Sequence, residues 1–435
     1  MNCDILIKDA DVLTSYDTLE KHTDIAITDG TITDVGKNLS ERFSSKEVLS
    51  GKNKVFMPGL IDSHMHTGQQ LLRGLVLDAK PIIWTRIMLP FESTLTPEKM
   101  KLSANVAALE MIKGGTAGFV DAGSYFMEEA AEVYETSGLR GCLSYSTMDE
   151  EGLPESIAMN AEEAVKKTDS LYDRFHKKGN LKVYYSLRAL NSCSDKLTEL
   201  AVSRAKERDT MLQAHMNEYM GEIQGIIERE GMRPYEYLDK MHALDVPFLG
   251  AHSLILSDHE KELVKEKNVA VCHCPFSNCG KAVPDTPQLL EMGISVGMGT
   301  DGAAHAGLSL WNEMKIFRSV MNIYHGVPNR NPKVMPAENI FKIILEGGAA
   351  ALNEKGSLGR IAPGYKADLI SINMDQPHLL PTGNQIHTLF ECANAGDVWD
   401  MVVDGKMLMK DRQVLTLDEE KILYESRKYM EEVNS

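Results

Sequence analysis

Four short runs of this sequence carry side chains that could do metal chemistry. The first is Pro58-Gly59-Leu60-Ile61-Asp62-Ser63-His64-Met65-His66. Alternate side chains of a strand share a face, so His64 and His66 point the same way, two imidazoles placed for one cation. Packed or solvated histidines are the alternative for an isolated His-x-His; the apolar strand before this one favours ligation. The second run, Gln213-Ala214-His215-Met216-Asn217-Glu218, ends another strand in a histidine and places a carboxylate three residues later, where the chain can bend. That suits a metal ligand with a general acid/base beside it, although Glu218 alone reads equally well as a surface residue. The third run, Leu249-Gly250-Ala251-His252-Ser253, again ends in histidine. In the fourth, Gly297-Met298-Gly299-Thr300-Asp301-Gly302, the glycines permit close approach and a sharp turn, and Asp301 emerges at a strand end. Any one of these could be a turn or a packed histidine. Four on separate strands, in the order His-x-His, His, His, Asp, point to one site.

Two neighbouring features read differently. Cys272-His273-Cys274 with Cys279 lacks the paired spacing of a zinc finger, so His273 reads as a strand-end residue near the pocket. His305, just after the Asp301 loop, either lines the pocket or is exposed.

Such residues need strands to carry them. Short apolar runs at Val55–Ile61, Gly118–Asp121, Val183–Leu187, Met211–His215, Phe248–His252, Val269–His273 and Ser295–Thr300 alternate with helical patterns such as Pro97–Lys113, Glu162–Lys177 and Asp195–Arg208. Strand-then-helix alternation predicts parallel strands with crossover helices. Polar residues recur at the strands' C-terminal ends, where (β/α)8 barrels keep their chemistry. Seven strands are visible, and the eighth is expected in a weak segment. Both chain ends read as β-rich: Ile5-Leu6-Ile7, Asp24–Ile27 and Thr31–Val35 at one, Ala367–Ile372 and Met401–Lys406 at the other. The segment after Leu417 reads as a surface helix.

The chain has 435 residues, enough for a large barrel and an appendage. Its net charge of −17 argues against nucleic acid and anionic membranes as partners. Seven scattered cysteines do not suggest a disulfide framework. The opening MNCDILIKDADVL shows no leader pattern, and no apolar run reaches membrane-spanning length. A cytoplasmic protein is the expectation.

At these residues the chain resembles the amidohydrolase superfamily, in particular its branch of metal-dependent aminohydrolases: adenosylhomocysteine/methylthioadenosine deaminases, guanine deaminase and triazine hydrolases. PGLIDSHMH, GGTAGFVD, HMNE, GAHS, HCPFSN, GTDG and the closing GSLGRIAPGYKADLI carry the likeness. It implies a (β/α)8 TIM barrel over 57–365 and a small β-sandwich from 1–56 and 366–435, the latter including a C-terminal helix. It implies His64, His66, His215 and Asp301 as ligands of one divalent metal ion per subunit, Zn²⁺ or Fe²⁺. Two-metal members carry a bridging Lys at the end of strand four, and Val183–Arg188 has none. Glu218 is implied as the proton shuttle, with His252 and Asp301 assisting at the reacting carbon. A homo-oligomer acting on a small heterocycle is expected.

The substrate is read from fewer residues. Deaminases of adenosylhomocysteine type place a carboxylate just before a Trp in the helix after His-x-His; here Trp84 is kept and Ile83 precedes it. Gln69 and Arg188 could instead read a flat, carbonyl-bearing base, each with an alternative: a supporting hydrogen bond for Gln69, a salt bridge for Arg188. The expectation is therefore deamination of a guanine- or pterin-like base contacted by Gln69, Trp84, Arg188 and His305. An adenosine-type nucleoside deaminase and a triazine-type hydrolase are the alternatives.

Overall fold

The computed structural model describes residues 1–80 and 82–434; Pro81 and Ser435 lie outside the described residues. Its centre is a ring of parallel strands. A four-stranded arc runs Leu60–Met65, Thr116–Asp121, Arg140–Leu143, Leu181–Val183, and a five-stranded arc runs Tyr185–Leu187, Leu212–Met216, Phe248–His252, Ala270–His273, Ser295–Met298. Leu181–Val183 and Tyr185–Leu187 form one stave, interrupted at Tyr184. There the chain changes neighbours: Tyr184 N–H donates to Leu143 O (2.9 Å) and Tyr185 N–H to Met211 O (3.0 Å). At the other seam Asp301 N–H donates to His64 O (3.0 Å), and Thr300 N–H and Oγ1 donate to the Asp62 carboxylate (3.1 and 2.7 Å). With that stave counted once, the ring has the eight strands of a (β/α)8 barrel.

The strand absent from the apolar pattern is Arg140–Leu143, third in the ring. It is four residues long, buried throughout and begins with a charged residue, so it shows neither alternation nor an apolar run. The run expected as one strand over Val55–Ile61 is two. Lys54–Pro58 pairs antiparallel with Leu369–Asn373, and Leu60–Met65 starts the barrel after Gly59.

Lys54–Pro58 belongs to a nine-stranded sheet that draws strands from both ends of the chain, which is why both ends read as β-rich. Its side chains alternate. Val55, Met57, Ile370 and Ile372 join the main barrel core, while Phe56, Leu369 and Val402 pack with Ile5, Ile7 and Ile27 in a separate cluster.

The crossover helices begin where the sequence offers caps. Thr96 accepts from Lys99 N–H (3.3 Å) ahead of Pro97–Gly114, Asn160 and Glu163 cap Ala161–Phe175 reciprocally, and Ser194 accepts from Leu197 N–H (3.1 Å) ahead of Asp195–Glu207. The last helix, Glu419–Asn434, lies on the surface. Among the described residues no helix is long and apolar enough to cross a membrane.

Candidate metal centre and active site

His64, His66, His215 and Asp301, from the first, fifth and eighth strands, converge at the C-terminal mouth of the ring. Each offers a ligand atom within 4.8 Å of the others. His66 Nε2 lies 3.2 Å from His215 Nε2, and Asp301 Oδ1 lies 3.3 Å from His64 Nε2 and 3.5 Å from His66 Nε2. His64 sits this close to the eighth strand because Gly299 has no side chain: a Cβ there would meet His64 N and O at 2.7 and 2.6 Å. The chain turns sharply as it leaves the strands. Asn217, His252 and Asp301 all take left-handed backbone conformations (φ 48°, 67° and 58°), each costing about 1 kcal/mol or more. Asn217 is pinned by its side-chain amide on Glu260 (3.0 Å to each oxygen) and His252 by its carbonyl, which accepts from His273 Nδ1 (2.7 Å). His273 thus supports the site and does not enter it.

These groups fit a divalent cation. Two imidazole nitrogens 3.2 Å apart suit metal–nitrogen bonds of about 2.0–2.1 Å meeting near the tetrahedral angle. Burial keeps the rings neutral, the form that can ligate: His66 is lowered to about 3, and His215 falls well below its ordinary value through burial and the neighbouring histidines. Burial works to raise the pKa of Asp301, but the facing imidazoles of His64 and His66, with His252 and His305 beyond them, together hold it well below the usual carboxylate range. His64 Nε2 is buried with no hydrogen-bond partner.

His252 lies in the same cluster, its ring 5.0 Å from that of His64. The tautomer follows from its partner. Asn278 Oδ1 accepts from Cys274 N–H (2.8 Å), so the Asn278 amide nitrogen faces His252 Nδ1 (3.0 Å) and donates to it. The proton of neutral His252 is therefore on Nε2, which faces Glu218 Oε1 at 3.6 Å. Glu218, a residue that could equally have been on the surface, is 16% exposed. Its backbone N–H and that of Asn217 both donate to Glu222 (2.9 and 3.0 Å), which folds the loop inward. Burial works to raise the pKa of Glu218, but His252 and Lys281 more than offset it and keep it below the usual value. Lys281 donates to Glu218 Oε1 and to Ser277 Oγ (2.9 Å), and Ser277 donates to Asp301 Oδ2 (2.5 Å). His305 Nε2 stands 3.4 Å from Asp301 Oδ2, so it lines the site.

Gln69 and Arg188 are buried, and both are bound to one carboxylate. Gln69 Nε2 and Arg188 Nη2 donate to Glu92 Oε1 (2.7 and 3.1 Å), and Arg188 Nη1 donates to Gly123 O (3.1 Å). Glu92 Oε2 is buried without a partner, as are Gln69 Oε1, the Trp84 indole N–H and the Tyr125 hydroxyl. Gln69 Oε1 and Glu92 Oε2 lie on side chains bonded to each other, so two unmet acceptors sit together, which is what the donors of a polar ligand would satisfy. Glu92 and Lys281 escaped the sequence reading. Glu92 ends the turn Leu89–Glu92, in the same segment as Trp84, and a search for a carboxylate further along that segment would have found it. Lys281 carries no local signal beyond its place after HCPFSN.

A model of the amidohydrolase family matches residues 55–408. A 5′-deoxyadenosine deaminase of Methanocaldococcus jannaschii is 35% identical over 422 residues, 95% of this chain and 97% of the relative. A 5-methylthioadenosine/S-adenosylhomocysteine deaminase of Dictyoglomus turgidum is 32% identical over 404 residues, 91% and 92% of the two chains. Among solved structures, an adenosine deaminase from Xanthomonas campestris with bound zinc superposes with a TM-score of 0.92 at 23% identity, covering 100% of this chain and 99% of its own.

Proposed function

The chain belongs to the amidohydrolase family and cleaves carbon–nitrogen bonds hydrolytically, and from that premise we propose that it deaminates an adenosine-type nucleoside, releasing ammonia. This replaces the guanine- or pterin-like base expected from Gln69 and Arg188. Two relatives at 32–35% identity over nearly the whole chain are nucleoside deaminases, and Gln69 and Arg188 are already bonded to Glu92. The observation that carries the nucleoside reading is the buried, unpartnered Glu92 Oε2. A carboxylate oxygen is an acceptor only; the adjacent hydroxyls of a ribose would donate to it, where a free base would bring only its ring or amino N–H groups.

His64, His66, His215 and Asp301 would hold one divalent metal, with zinc favoured by this nitrogen-rich donor set. When bound, such an ion lowers the pKa of water from about 15.7 toward about 7 and so supplies a nucleophile. The chain's own groups do the rest. Glu218, ionised at neutral pH, takes the water proton and delivers it to the ring nitrogen next to the amino-bearing carbon, which makes that carbon electrophilic. His252 donates its Nε2–H to the oxygen that adds there. Glu218, a carboxylate again, then takes the remaining proton from the hydroxyl added at that carbon and passes it to the amino group; the carbon–nitrogen bond breaks, ammonia leaves, and the ring retains a carbonyl.

Ammonia release from 5′-deoxyadenosine, methylthioadenosine, adenosylhomocysteine, adenosine, guanine and isoxanthopterin tests this. Turnover of nucleosides is expected; turnover of free bases alone would overturn it. Glu218→Gln should cut kcat by about 10²–10⁴-fold with the metal retained. Loss of metal in that variant would make Glu218 a ligand instead.

A further inference from the structure

We infer that Lys281 is a positioning residue for Glu218: its ammonium holds Oε1, leaving Oε2 to carry the proton, and keeps this carboxylate out of the metal's ligand set. The inference rests on the deaminase reading above.

The geometry offers two overlapping sets of metal-ligating groups, His64–His66–His215–Asp301 and Glu218–His252–Asp301, which share Asp301. Nothing in the carboxylates themselves decides which one binds a cation and which moves protons. Their hydrogen-bond partners do. Asp301 faces the imidazoles of His64 and His66 through Oδ1, whereas Glu218 Oε1 faces the ammonium of Lys281. That ammonium is tied to Ser277 Oγ at 2.9 Å, and Ser277 Oγ to Asp301 Oδ2 at 2.5 Å, so one chain of contacts sets both carboxylates relative to each other. Lys281 is three-quarters buried and comes from the loop after Pro275–Asn278, the short helix whose Asn278 also orients His252. A fixed cation between two close carboxylates offsets their mutual repulsion. Because one oxygen of Glu218 is held, the other keeps a single direction, and misplacing a catalytic group by about 1 Å can cost about 10²-fold in rate.

The test compares wild type, Lys281→Met and Lys281→Arg, each alone and in the Glu218→Gln background, by steady-state kinetics on a nucleoside that wild type turns over, with zinc content per chain measured alongside. For Lys281→Met we expect a fall in kcat of about 100-fold, KM within a factor of about three, and zinc content equal to wild type. Lys281→Arg should recover most of the loss, and Lys281→Met should cost nothing further once Glu218 is Gln. An unchanged kcat in Lys281→Met would overturn the inference. So would zinc lost in step with activity, or a loss carried in full into the Glu218→Gln background. Should the Met variant not fold, Lys281→Gln puts the same question with a polar side chain. A wild type inactive on every nucleoside would refute the substrate reading; an active wild type indifferent to Lys281 would refute this inference alone.

Discussion

Arg140 and Asp368 pair where the barrel meets the terminal sheet; Arg188 and Glu92 pair at the barrel mouth. Both are buried arginine–carboxylate contacts, and they differ in what becomes of the second oxygen. Asp368 uses both. Oδ2 accepts from Arg140 Nε (2.6 Å), and Oδ1 accepts from Arg140 Nη2 (3.0 Å) and Asp404 N–H (2.8 Å). Glu92 uses one: Oε1 takes both Gln69 and Arg188, and Oε2 has no partner. The first pair is closed and joins the third barrel strand to a segment 228 residues further on. The second holds an acceptor open in a place where leaving it unmet costs stability. A buried salt bridge by itself therefore says little about role; the count of satisfied oxygens separates a fastening from a binding group.

The comparison can be broken most forcefully at the closed pair. Asp368→Ala leaves buried Arg140 with only its longer contact to Asp404 Oδ1 (3.3 Å), and a loss of about 3 kcal/mol in unfolding free energy is expected, read from denaturant midpoints. KM of the folded fraction should not move. A KM change there, or a loss below about 1 kcal/mol, would erase the distinction. At the open pair the expectation reverses. Glu92→Gln removes a charged acceptor for hydroxyls, worth about 1.5–3 kcal/mol, so kcat/KM for a nucleoside should fall about 10- to 100-fold, with zinc content retained. An unchanged kcat/KM would mean that Oε2 receives no substrate.

The smallest effect is pH-dependent and refines the closed class. Glu354 accepts from Lys182 Nζ (2.7 Å), Lys366 Nζ (2.8 Å) and Ser357 Oγ. Burial alone would raise its pKa, but these three donors bring it down to about 2. A carboxyl ordinarily near 4.3 in the unfolded chain thus stabilises the fold above that pH, and the contribution is lost as pH falls toward about 2. With solvent screening of this half-buried group, the difference between wild type and Glu354→Gln should be on the order of 1 kcal/mol at pH 6. It should vanish toward pH 2. A difference independent of pH would mean that shape, not charge, is what Glu354 contributes.

Much of the centre is legible in the linear sequence because it is built from local rules. A period of two places His64 and His66 on one face, an apolar run ending in a polar residue marks a strand terminus, and alternation of such runs with capped helical segments specifies a barrel. These rules hold within ten residues or so, and each of the four motifs obeys them by itself. Local pattern therefore accounts for the barrel class, the β-rich ends, and a set of histidines and carboxylates at strand ends. Which of them meet depends on how distant segments pack. Arg140–Leu143 became a strand because flanking strands pair with it, not because its residues alternate. Gln69 and Arg188, expected to read a base together, are both bonded to Glu92, a residue from a different segment. Lys281 reached Glu218 across 63 positions of the chain. Strand pairing, ion pairs and unmet acceptors are relations between distant segments, and their energies depend on separations that exist only once the barrel has closed.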